Sequence, residues 1–199
     1  MTSRRLPDSQ VPVVGFVGPS GVGKTTLLER LVVALGRRGL AVAVVKHASH
    51  GFLADRPGKD SYRLYEAGAE AVALISREQV ATFTRASGRC AKEVSLVVAL
   101  EGLPPRLDVV LAEGFSWEPV PRVVLFHDGE EPAPEHVEHG EVLARVCAPR
   151  APEGEPPAFS DTLIESLIGL IEARIGVAGE PSDASDAERP EAESDRTTL

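Results

Sequence analysis

Residues 18–27 read GPSGVGKTTL, and the spacing Gly18-x-x-x-x-Gly23-Lys24-Thr25 suits one kind of chemistry, the cradling of phosphate groups. Glycine at 18, 21 and 23 lets the backbone turn so that successive N–H groups point inward. A helix that starts directly afterwards adds the positive end of its dipole. Lys24 then reaches the β and γ phosphates, and the Thr25 hydroxyl is placed to ligate Mg²⁺. Such a site also needs a carboxylate for the metal. Two acids flank the apolar run VVLA, Asp108 before it and Glu113 after it. At about 3.3 Å per residue they stand roughly 16 Å apart, at opposite edges of a sheet. Ligands of open α/β sheets gather at the carboxyl ends of the strands, which selects Glu113.

A second cluster follows in KHASHGFLADRPGKDSYR, residues 46–63, which gathers Lys46, His47, His50, Asp55, Arg56, Lys59, Asp60 and Arg63. These residue types can contact an anion, orient water bound to Mg²⁺, or hold a transition metal through the His47-x-x-His50 spacing. They are equally compatible with a solvated loop in which Pro57-Gly58 makes a turn.

Both clusters need a scaffold that brings them to one edge. Short apolar runs alternate with amphipathic stretches, the pattern of an α/β protein with a largely parallel sheet flanked by helices. Strands are expected at 11–17, 40–47, 70–76, 107–114 and 121–126, with weaker candidates at 80–85 and 142–148. Helices are expected at 24–38, where Leu27, Leu28, Leu31, Val32 and Leu35 share a face ahead of Gly39, and near 60–67, 91–103 and 161–175. Ser160 is the expected cap of the last helix. Residues 128–157 are rich in Pro, Glu and Gly and read as irregular surface. The expected organisation is a flexible N-terminus over 1–10, a P-loop domain over 11–177, and a disordered acidic tail over 178–199. From residue 180 onward seven acids (Glu180, Asp183, Asp186, Glu188, Glu191, Glu193, Asp195) face only Arg189 and Arg196.

Composition excludes several classes. With 43% hydrophobic and 26% charged residues the chain of 199 residues is an ordinary globular one, sized for one domain. No apolar run is long enough for a membrane span, and LPDSQ after Arg5 is too polar for a secretion signal, so the expected compartment is cytoplasmic. A net charge of −9 argues against nucleic-acid binding. Cys90 and Cys147 lie far apart without a CxxC neighbour, which gives neither a disulfide framework nor a zinc site.

GPSGVGKTTLLERL, VVKHASHGF, DRPGKDSYR, EAGAEAV and LAEGF, in this order and spacing, closely resemble the molybdopterin-guanine dinucleotide biosynthesis protein B (MobB) family, from about Val13 to Phe126. PGKDSYR is the family-specific part. The resemblance implies a P-loop fold and a dimeric GTP-binding accessory factor with at most slow, Mg²⁺-dependent hydrolysis. Such a factor assists a separate guanylyltransferase, MobA, in attaching GMP to molybdopterin, which it contacts. Carried over by position, the phosphates and cofactor fall to Gly18, Pro19, Ser20, Gly21, Val22, Gly23, Lys24, Thr25 and Thr26, with His47 and Arg63. Thr25, Glu113 and Asp55 fall to Mg²⁺. Lys24 and Asp60 are the residues implied for the chemistry, and Asp55 or Asp60 would lie in a loop beside the γ phosphate.

The chain departs from the family pattern at two places. Ser116 stands after Glu113-Gly114-Phe115 where the family often has lysine, and Leu64 stands where a basic residue is frequent. The chain also contains no asparagine, so the Asn-Lys-x-Asp motif by which many GTPases read guanine is absent. Two other classes share the P-loop. A small-molecule kinase would want a basic lid, whereas the segment after residue 128 is acidic. A metal-loading GTPase would use His47 and His50, but usually with a cysteine motif that Cys90 and Cys147 do not form.

Overall fold

The structure, a computed structural model, describes residues 11–53, 55–85, 95–152 and 154–176. The expected tails over 1–10 and 178–199, Cys90, and the first residues of the expected helix at 91–103 lie outside them. In chain order the elements are β1 (Val13–Val17), α1 (Lys24–Arg37), β2 (Val42–Lys46), α2 (Asp60–Glu66), β3 (Ala71–Ile75), β4 (Val80–Thr84), α3 (Leu96–Glu101), β5 (Val109–Glu113), β6 (Arg122–His127), α4 (Pro134–Val137), β7 (Val142–Ala148) and α5 (Asp161–Ile175).

Five strands form the main sheet in the order β2-β5-β1-β6-β7, and every neighbouring pair is parallel. Successive β-strand side chains point to opposite faces, and here the two faces carry different cores. Val14 and Phe16 of β1, Val109 and Leu111 of β5, and Val123 and Leu125 of β6 pack with Leu27, Leu31 and Leu35 of α1 and Leu167, Ile168 and Ile171 of α5. Val110 and Ala112 of β5 point the other way, toward Leu96 of α3, Val45 and Phe115. The sheet is thus a layer between helices, and all five residues of β5 are buried. This is the largely parallel α/β sheet that the spacing of apolar runs implied.

Helix ends follow local chemistry. Ser160 accepts a hydrogen bond from the Leu163 N–H at 3.2 Å and so caps α5. Arg38, just past α1, pairs with Glu172 of α5 at 2.8 Å and also with Glu165, which ties the two helices together across the surface.

Three features depart from expectation. β3 and β4 do not join the main sheet but pair with each other, antiparallel, from Ala71↔Thr84 to Ile75↔Val80. Their apolar residues mark them as strands, yet nothing local says which sheet a strand enters. Arg85 fixes the base of this hairpin to α2: its guanidinium lies 4.1 Å over the Tyr65 ring and donates to the carbonyls of Ala69 and Tyr65. The second is Arg122, which no motif singled out and which is 0% exposed. Its guanidinium donates to the carbonyls of Ser116 at 2.7 Å, Val120 at 3.3 Å, His136 at 3.5 Å and Glu118. Burial lowers its pKa. Arg122 therefore holds the loop after β5 against the turn at α4. The third is that Glu155, Pro156 and Pro157, within a stretch expected to be irregular surface, form part of the wall of the site.

Candidate functional site

The phosphate loop leaves β1 at Val17 and enters α1 at Lys24, and two glycines make that path sterically possible. Gly18 has a φ of 148°, and a Cβ there would stand 2.3 Å from the Leu125 carbonyl oxygen. Gly23 caps α1 in the left-handed region at φ 92°, and its Cβ would meet Pro157 at 2.3 Å. Neither position accepts a larger residue without moving backbone or a rigid ring.

Within this turn the Lys24 ammonium donates to the carbonyls of Gly18 at 2.9 Å and Pro19 at 2.7 Å. Burial lowers its pKa from the ordinary lysine value; Glu113 acts in the opposite sense, and Lys46 adds to the lowering. The Thr25 hydroxyl lies 3.1 and 3.2 Å from the two carboxylate oxygens of Glu113, at the end of β5. Register explains the meeting: Glu113 pairs with Phe16 of β1 on one side and with Lys46 of β2 on the other. The Lys46 ammonium completes the group at 3.1 Å from both Glu113 Oε1 and Thr25 Oγ1. Glu113 is only 6% exposed, so its charge is offset locally rather than by solvent. A hydroxyl and a carboxylate side by side are the hard oxygen donors that Mg²⁺ takes. Asp108 behaves as the spacing implied, accepting from the Ala41 N–H at 2.7 Å at the opposite edge of the sheet.

This group opens into a cleft of about 810 Å³ whose far wall is Lys46 to Gly51 and whose roof includes Trp117 and Pro157. His47 stacks edge-on against Trp117, with ring centroids 4.8 Å apart, and against Phe115 at 5.7 Å. Trp117 remains 42% exposed at the rim. Its position was not foreseen, although a lone tryptophan two residues after Phe115 is a signal that could have found it.

A family model described as molybdopterin guanine dinucleotide synthesis protein B matches residues 13–148, which takes in the phosphate loop, Glu113 and every strand of the main sheet. The chain belongs to the MobB family. It is similar to the molybdopterin-guanine dinucleotide biosynthesis adapter protein of Haemophilus influenzae, 41% identical over 130 residues covering 64% of this chain and 71% of that protein. The protein of the same name from Escherichia coli is 37% identical over 65% of this chain and 73% of its own length. Among solved structures, a crystal structure of molybdopterin-guanine biosynthesis protein B matches with a TM-score of 0.61 at 30% identity, covering 82% of this chain and 99% of that one. A MobB homologue from Bacillus stearothermophilus matches at 0.57 and 29% identity, covering 81% and 99%.

The rest of the MobB-like constellation divides. Lys24, Thr25, Lys46, His47 and Glu113 converge on the cleft, as do Gly18, Ser20, Gly21, Gly23 and Thr26. Among the described residues, Asp55, Asp60 and Arg63 do not line it. Asp55 is bonded to the Ser61 hydroxyl and to the Arg56 N–H at 2.6 Å, and these bonds, the Ser61 one foremost, hold its carboxyl below the usual value. In this arrangement Asp55 organises the turn ahead of α2 and does not stand beside Thr25 and Glu113. Asp60 is 94% exposed in its side chain and pairs with Arg63 at 3.7 Å on the outer face of α2. His50 reaches the cleft wall. No group of three or more His, Cys, Asp or Glu residues suited to hold a metal ion occurs among the described residues, nor does any helix long and apolar enough to cross a membrane.

Proposed function

We propose that this chain is a Mg²⁺-dependent GTP-binding adapter that assists a separate guanylyltransferase, MobA-like, in joining GMP to molybdopterin. The carrying observation is the approach of the Thr25 hydroxyl to the Glu113 carboxylate beside the Lys24 turn. The inward N–H groups of Gly18 to Thr26 bind phosphate oxygens, Lys24 neutralises them, and Thr25 with Glu113 holds Mg²⁺. When bound, that ion neutralises phosphate charge and fixes the orientation of the phosphate chain. His47, set by Trp117 and Phe115, forms the wall beside the terminal phosphate.

Asp60 and Arg63, on an exposed helix face, act where the partner enzyme or its pterin substrate docks, and Asp55 keeps the connecting turn in shape for that contact. The adapter works as a homodimer. Ile75 and Val80, paired across the hairpin and 79% and 70% exposed, supply an apolar surface that a second copy covers.

Calorimetric titration with GTP, with and without Mg²⁺, tests the site. Lys24→Ala is expected to weaken triphosphate binding roughly 100-fold, through loss of charge-assisted bonds, with an unchanged melting temperature. Glu113→Gln is expected to abolish the Mg²⁺ dependence. Wild-type affinity in both variants would remove these residues from the site. Added to a guanylation assay with the partner transferase, Asp60→Ala and Arg63→Ala should depress the stimulation while leaving GDP binding near normal.

A further inference from the structure

The chain reads no base through asparagine, and its structure offers another means. Lys24, Thr25, Glu113 and Lys46 all meet on the β5 and β2 side of β1. A triphosphate whose metal-bound end lies there has room for its nucleoside on the other side, toward β6 and β7. On that side, against the outer face of the phosphate loop at Gly21 and Val22, lies a cavity of about 460 Å³, within the range that accepts a small organic ligand. It shares Gly21, Glu155 and Pro157 with the phosphate cleft, so a ligand extending from one enters the other.

We propose that this cavity is the base and ribose site, and that Glu130 and Arg150 make it select guanine. The proposal rests on the nucleotide-binding reading above and adds the specificity. Its walls fit a flat ring: Pro149, Pro152 and Pro157 are rigid and apolar. Its polar groups fit one base. Guanine presents N1–H and an N2 amino group on one edge, two donors that a carboxylate accepts together, whereas adenine presents an unprotonated N1 that a carboxylate repels. Glu130 lines this cavity and not the phosphate cleft, which makes it the carboxylate available to a base there. Guanine O6 and N7 are acceptors, for which a guanidinium is the matching donor. Arg150 lines the same cavity and donates to the Asp128 carbonyl at 3.3 Å, which links the loops after β6 and β7 and places its fork between them. Glu155 borders both spaces and therefore faces the ribose hydroxyls that must pass between them.

The test is equilibrium binding of GTP, ATP and 2′-deoxy-GTP to the full chain at fixed Mg²⁺. The wild type should prefer GTP to ATP. Glu130→Gln should lower GTP affinity roughly tenfold and leave ATP unchanged, and Arg150→Ala should act in the same direction. Glu155→Gln should lower GTP affinity toward that of 2′-deoxy-GTP. All three side chains are exposed or at the rim, so folding is not at stake, and Lys24→Ala serves as the reference for loss of phosphate binding. Intact triphosphate binding with a GTP-to-ATP ratio that is the same in wild type, Glu130→Gln and Arg150→Ala would overturn the base site alone. A wild type that binds neither triphosphate would overturn the nucleotide reading and this proposal with it.

Discussion

β5 and β3 are both five-residue strands of similar apolarity, VVLAE and AVALI, yet the first is buried at every position and the second at one. The difference is not in the residues but in what covers them. β5 lies between β1 and β2 with α1 on one face and α3 on the other, whereas β3 has β4 beside it and α2 near one end. Apolar content therefore marks both segments as strands, and only the surrounding layers decide whether that content stabilises the monomer or is left for another surface. An isolated two-stranded hairpin is marginal by itself, which makes its attachment through Arg85 and its exposed tip the informative parts.

The contrast is sharpest if the two regions respond to different insults. Arg122→Met strikes the main sheet, because the carbonyls of Ser116, Glu118 and Val120 lose their buried donor. A cost of about 3 kcal/mol follows, which for a domain of this size lowers the melting temperature by about 10 °C. A change of less than about 2 °C in a thermal melt would show that water or neighbouring groups replace the guanidinium. Ile75→Asp combined with Val80→Lys strikes the hairpin tip instead. It should halve the mass seen by light scattering or sedimentation with little effect on the melt, since neither side chain is in a core cluster. An unchanged mass would break the comparison, by showing that the exposed tip is not what a second copy covers.

The smallest effect concerns His136, which belongs to the main-sheet side through the Arg122 contact. Burial is the chief cause lowering its pKa from the ordinary 6.5, with Lys24 and Arg122 adding to it against Glu135, and its buried Nδ1 has no hydrogen-bond partner among the described residues. The unfolded chain then binds this proton more readily than the folded one as pH falls below 6.5. Stability should be full above that value and decline gently below it. Melts recorded from pH 7 to pH 5 should show a shallower decline in His136→Gln than in wild type; equal slopes would mean that other groups carry the effect.

What the sequence disclosed follows the same division. The phosphate loop was legible because its chemistry is written in consecutive residues, and Glu113 because one strand end outranks the other. Ser160 and the apolar faces of α1 and α5 were legible for the same local reason. Arg122 was not, since nothing in its neighbours tells that the carbonyls of Ser116, Glu118 and Val120 and that of His136 close round it. The sheet that β3 and β4 enter, and the return of Glu155, Pro156 and Pro157 to the phosphate loop, are likewise tertiary facts. Asp55 is ambiguous for a subtler reason: a carboxylate in a loop serves a metal or its own turn with the same residue type, and here Ser61, six positions on, is bonded to it.

Lys46 would make a Mg²⁺ site at Thr25 and Glu113, as proposed above, a place of exchange rather than of simple filling. Its ammonium stands 3.1 Å from both Thr25 Oγ1 and Glu113 Oε1 as an internal counter-ion, so a divalent cation held by those two groups would have to displace a tethered positive charge. That charge belongs to the last residue of β2, joined directly to the His47–Gly51 wall of the cleft. Displacement would be felt first in the segment that leads toward α2, so the proposed metal site and the turn that carries Asp55 and Asp60 share one stretch of backbone.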